Sequence, residues 1–173
     1  PKLNVSVIPQ HDEAMDGEIF ELPDRYNPTL PYGVDRYFFY SLKKKFVKNG
    51  HSIGTIDQIS IEGADLVIFI DIQDIFKYYF NAINQSPRPH MILLIREPPS
   101  FEPSHSHKII TKISTQFDCV LTWMDDFGAV SNIKPVTLPI SPRQLSFSSS
   151  SKVTSYDERD LLVNISSNKM SSH

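Results

Sequence analysis

The segment Arg96-Glu97-Pro98-Pro99 carries the clearest chemical signal in the chain. It follows the apolar run Met91–Ile95, so a buried strand delivers a carboxylate to its carboxyl end. Two prolines then stiffen the backbone that leaves it. Desolvation raises the pKa of a glutamate near apolar surroundings, which suits it to general-base work. The same residues also allow a plain loop ion pair between Glu97 and Arg96 or a neighbouring lysine. Glu102, five residues further on, is a second candidate base. His105 and His107, with Glu102 close by, raise the question of a metal. No further Cys or His completes a ligand set, so two surface histidines at the start of a helix are expected. Cys119 opens an apolar strand between Asp118 and Val120, the usual setting of a small inert thiol.

These side chains matter if the fold gathers them. In open α/β sheets, ligands bind at the carboxyl ends of the strands, where loops converge. That rule selects Asp71, Glu97, Trp123 with Asp125 and Asp126, and the Ser166–Lys169 turn. Strands are expected at Leu3–Ile8, Ile53–Ile56, Asp65–Asp71, Met91–Ile95, Cys119–Thr122 and Val136–Leu138. The Asp65–Asp71 run is continuously apolar between acidic ends, the pattern of a parallel strand buried on both faces. Helices are expected over Val34–Asn49 and His107–Gln116, the latter with Ile109, Ile110 and Ile113 inward. Between them, Ile72, Ile75, Phe76, Tyr79, Phe80 and Ile83 fall at helical spacing and form one broad apolar stripe. Gly50 stops the first helix, and Lys43, Lys44, Lys45 and Lys48 complement its dipole. Residues 9–33, with Pro9, Pro23, Pro28 and Pro31, read as a long loop. Strands alternating with helices predict an α/β domain on a mostly parallel sheet.

Composition bounds the functions available. A chain of 173 residues fits one domain of the usual ~100–200 residues. Its 17 Lys and Arg against 20 Asp and Glu leave a net charge of −3, which argues against a nucleic-acid binder. A 40% hydrophobic share with 11 Phe and 7 Tyr is enough for a core. No apolar run approaches the roughly 18 residues of a membrane span, and no signal-peptide pattern opens the chain. One cysteine cannot form an internal disulfide, which favours a reducing, cytoplasmic compartment. The GxGxxG, Walker, GxSxG and CxxC signatures are absent. Seven of the fifteen residues 141–155 are serine, which reads as a linker. The expected division is therefore a domain over 1–140, a linker over 141–159, and the start of a second, truncated domain over 160–173.

Two stretches together resemble family 10 glycosyltransferases. One is Ile92-Leu93-Leu94-Ile95-Arg96-Glu97-Pro98-Pro99; the other is Phe117-Asp118-Cys119-Val120-Leu121-Thr122-Trp123-Met124-Asp125-Asp126. The tail Leu162-Val163-Asn164-Ile165-Ser166-Ser167-Asn168-Lys169 is similar to the start of that family's donor domain. Family 10 enzymes transfer fucose from GDP-fucose to a sugar hydroxyl. The resemblance implies a GT-B architecture of two Rossmann-like domains, with this chain supplying the acceptor side. It implies Glu97 as general base, acceptor contacts from Trp123, Asp125, Asp126 and Glu102, and donor contacts from Ser167 and Asn168. It also implies no bound metal or other cofactor, GDP-fucose being the donor substrate. The family's main donor-binding motif is missing, which implies a fragment inactive by itself. The animal members' membrane anchor and disulfides are missing too, which implies a bacterial-type cytoplasmic enzyme, at most peripheral to a membrane. Two alternatives remain open: a carbohydrate-binding or interaction module without catalysis, and a GT-B transferase with another sugar-nucleotide donor.

Overall fold

Six apolar runs lie side by side as one parallel sheet. They are β1 (Asn4–Ile8), β2 (Ser52–Thr55), β3 (Leu66–Ile70), β4 (His90–Ile95), β5 (Cys119–Thr122) and β6 (Ile133–Pro135). The computed structural model describes residues 1–10, 15–21, 33–72, 75–96, 102–124, 127 and 130–136, with the backbone alone for 33–37 and 75–76. The expected linker and the second-domain start lie outside these residues. The spatial order is β2-β1-β3-β4-β5-β6, and every pairing is parallel, so the fold is α/β and Rossmann-like. Winding reverses between β1 and β3, which makes the gap above their carboxyl ends a topological switch point.

Alternation along each strand supplies two cores. Val5, Val7, Ile53, Ile68, Ile70 and Leu94 face one way, onto helix α1 (Gly33–Lys48), which contributes Phe38, Phe39, Leu42 and Phe46. Val67, Phe69, Met91, Leu93, Ile95 and Val120 face the other way, onto α2 (Ile75–Ile83) and α3 (His107–Ser114). There Phe69 is fully buried and meets Phe117 edge-on, with ring centroids 5.5 Å apart. Among the described residues no helix is long and apolar enough to cross a membrane.

The helices end as their residues dictate. After α1, Gly50 adopts a left-handed φ of 82°. Its N–H reaches the Val47 carbonyl (3.0 Å) and the His51 N–H reaches the Phe46 carbonyl (3.0 Å). This is a Schellman stop, and the His51 ring closes it against Phe46 at 5.8 Å. The α3 end is closed from a distance, by Asn132 Nδ2 donating to the carbonyls of Ser114 (2.6 Å) and Phe117 (3.1 Å). At the amino edge of the sheet, Asp65 Oδ2 accepts the Asn4 N–H and Asp118 Oδ2 accepts the Met91 N–H, both at 2.7 Å.

Several details differ from the sequence reading. The last strand begins at Ile133, earlier than Val136, because Ile133 is buried opposite Val120 and continues the ladder. In α2 the packed face is Tyr78, Tyr79, Ala82 and Ile83, while Phe80 is 55% exposed; Ile72 lies ahead of the helix. In α3, Ile110 and Ile113 pack inward but Ile109 is exposed, since a helix this short offers one narrow face.

The long loop after β1 contains order that its prolines concealed. Asp16 and Gly17 have φ of 55° and 75°, and the Glu18 N–H returns to the Met15 carbonyl (3.0 Å), the geometry of a type I′ turn. The Asp-Gly pair was its signal. The turn is bound to the end of β2, where Asp57 Oδ2 accepts the Asp16 N–H and Thr55 Oγ1 accepts the Gly17 N–H, both at 2.9 Å. A 3-10 turn (Glu18–Phe20) then buries Ile19 and Phe20 against the α1 side.

The two glycines with positive φ among the described residues should resist substitution, to different degrees. Gly50→Ala meets nothing within 4 Å and should lose about 1–2 kcal/mol of stability from backbone strain alone. Gly17→Ala should lose slightly more, because its Cβ would lie 2.8 Å from Gln58 Nε2, and moving that flexible amide aside gives up the bond its Oε1 accepts from the Thr55 N–H. Urea denaturation of both variants tests the order, and equal losses would contradict it.

Candidate functional site

The carboxyl edge is organised around a buried ion pair. Asp71 stands directly after β3, fully buried, with a left-handed φ of 58° that aspartate tolerates better than most side chains. Its N–H still reaches the Leu94 carbonyl (2.8 Å), the last main-chain rung between β3 and β4. Beyond that rung its carboxylate extends the ladder, because Oδ1 accepts the Arg96 N–H at 2.7 Å. Oδ2 accepts Arg96 Nε (3.0 Å) and Nη2 (2.8 Å), a forked contact that a lysine could not reproduce. Arg96 Nη2 also donates to Gln10 Oε1 (2.9 Å), just past β1. One guanidinium therefore joins the ends of β1, β3 and β4 across the switch point.

His105 completes the cluster from the connection between β4 and α3. It is fully buried, which corrects the expectation of a surface histidine. Its Nε2 accepts the Ile72 N–H (3.3 Å) and lies 3.9 Å from Asp71 Oδ1. His107, two residues on, is exposed as expected and stacks on Phe127, with centroids 4.2 Å apart and planes at 7°. That stack ties the start of α3 to the loop after β5. Among the described residues, no group of three His, Cys, Asp or Glu side chains could hold a metal ion.

The remaining candidates separate by position. Glu102 caps the 3-10 turn Pro103–His105, its Oε1 accepting the Ser104 N–H (3.2 Å) and hydroxyl (2.7 Å). Trp123 follows β5 directly and is 43% exposed, although its neighbours Thr122 and Met124 are buried. Thr122 Oγ1 accepts the Met124 N–H (3.3 Å), which closes the chain around Trp123. Glu97, Asp125, Asp126, Ser167 and Asn168 lie outside the described residues. Glu97 adjoins Arg96 in the chain, and Asp125 and Asp126 adjoin Met124. Cys119 starts β5 at the opposite edge, where burial pushes its thiol up and Lys134 partly offsets this.

Gln10 and His105 were not selected from the sequence as members of this cluster. Nothing local marks them, since Gln10 sits 86 positions from Arg96 and His105 33 positions from Ile72. The strand-end rule did select Asp71, but not its partner. Comparisons of the chain with protein-family models, curated proteins and solved structures find no match.

Two outcomes follow from these contacts. Arg96→Met leaves a buried carboxylate uncompensated and should lose about 3–5 kcal/mol. Adding Asp71→Asn to it should recover part of that loss, and additive losses in urea denaturation would exclude the coupling. A raised thiol pKa means little thiolate at pH 8. Iodoacetamide should therefore modify Cys119 about tenfold more slowly than free cysteine, with urea abolishing the difference.

Proposed function

We propose that this chain forms the acceptor side of an inverting fucosyltransferase of GT-B architecture, with GDP-fucose as donor and a glycan hydroxyl as acceptor. The supporting observation is the anchored residue immediately ahead of Glu97. Arg96 is held through its main chain and its guanidinium at the carboxyl edge of β4, beside the switch point. Open α/β sheets present reactive groups at that edge.

In this reading Glu97 is the general base. As the acceptor oxygen attacks the anomeric carbon of fucose, its proton passes to the Glu97 carboxylate. The bond to the GDP oxygen breaks, and its electron pair leaves with GDP. Attack opposite the leaving group inverts the configuration. Glu102 is the weaker candidate for this role, because its carboxylate is committed to capping a turn. The exposed Trp123 offers an apolar face to a sugar ring, with Asp125 and Asp126 following as acceptors for its hydroxyls. Ser167 and Asn168 belong to the donor side. Neither a resident metal nor another cofactor is called for, and the enzyme works in the cytoplasm, at most peripheral to a membrane.

Glu97→Gln in the full-length protein tests the reading. Removing a general base should lower turnover by about 10²–10⁴. GDP-fucose affinity, measured by calorimetry, should stay close to that of the unaltered protein. Unchanged turnover would refute the assignment.

A further inference from the structure

We infer that Asp71 is a positioning residue, whose carboxylate fixes Arg96, the residue bonded to Glu97, where the chain leaves β4; this rests on Glu97 being the base. Main-chain pairing between β3 and β4 reaches Asp71 N–H to the Leu94 carbonyl. Past that point the Asp71 side chain takes over, holding Arg96 by its N–H, Nε and Nη2. The residue that does this is fully buried and has a left-handed backbone, φ 58°. Strained conformations of this kind persist where the surroundings over-determine them. Here the surroundings are the Leu94 carbonyl below, the Arg96 fork beside, and His105 accepting the next N–H at Ile72.

The arrangement has a reason in chemistry. A general base must sit within hydrogen-bond reach of the proton that it takes, and small misplacements are costly in rate. Glu97 is the next residue in the chain, so the hold on Arg96 is the nearest described constraint on it. Arg96 cannot swing while three of its donors are held by one buried carboxylate and Nη2 is shared with Gln10. Asp71 would thus act through Arg96, without touching substrate.

Asp71→Gly is the direct test, since glycine accepts φ 58° without strain while removing the carboxylate. Asp71→Asn is the milder variant, keeping one acceptor oxygen for the Arg96 N–H. Amide hydrogen exchange reads position and steady-state transfer by the full-length protein reads its consequence. In Asp71→Gly, exchange at Arg96 should rise about tenfold to a hundredfold, while Leu93 and Ile95 keep their protection. Turnover should fall by about a hundredfold with KM for GDP-fucose little changed, and Asp71→Asn should fall between Gly and the native residue. Should Asp71→Gly fail to fold, Asp71→Asn alone must show both effects in reduced size.

Unaltered exchange at Arg96, or exchange rising equally along β4, overturns the positioning role. Native turnover in the Asp71 variants alongside an inactive Glu97→Gln also overturns it, yet leaves the base assignment standing. Full activity in Glu97→Gln removes the base assignment and this inference with it.

Discussion

The contact between Asp71 and Arg96 is the constraint on which the carboxyl edge depends. A carboxylate with no solvent exposure is tolerable because its charge is matched and its oxygens are hydrogen-bonded. Such a pair adds little net stability compared with apolar packing, but it is unforgiving of change. Its effect is geometric. The backbone turns left-handed at Asp71, so the side chain supplies the next acceptor for β4. Gln10 brings β1 into the same arrangement, and His105 brings in the connection that leads to α3.

The two edges of the sheet solve different problems with the same residue type. At the amino edge, Asp65 and Asp118 each take a main-chain N–H from the start of a neighbouring strand, and both are exposed. Those carboxylates satisfy N–H groups at the starts of β1 and β4, at the solvent boundary. At the carboxyl edge the corresponding carboxylate is fully buried and paired with the cation Arg96, whereas Asp118 meets Arg88 (3.3 Å) within reach of solvent. The outer part of that edge, over β2, is occupied by the turn at Asp16 and Gly17. On the other side, the stack of His107 on Phe127 joins the loops following β4 and β5. The switch point lies between these two closures.

Where sequence and structure agree, the signal was local. Asp65–Asp71 reads as a buried strand because five consecutive apolar residues leave no polar face, and β3 is central in the sheet. Gly50 reads as a helix stop because few other residues adopt its φ. Where they differ, the deciding contact was distant. Phe80 belongs to the apolar stripe by spacing, but the face of α2 that meets the sheet passes through Tyr79 and Ala82. Ile133 belongs to the last strand because Val120 lies opposite it. His105 looks like a surface residue by type, yet a main-chain N–H from Ile72 awaits it in the interior.

Periodicity and breaker residues alone determined the class of the fold, the order of its elements and which ends of the strands would converge. These follow from hydrogen-bond geometry and apolar spacing within a few residues, so they are written locally. Only the folded chain decided which polar groups would meet at that convergence. Gln10, Asp71, Arg96 and His105 come from three separate connections, and no local rule couples residues as much as 86 positions apart. Their association is selected by burial, because a charge taken out of water must find its partner wherever the sheet brings it.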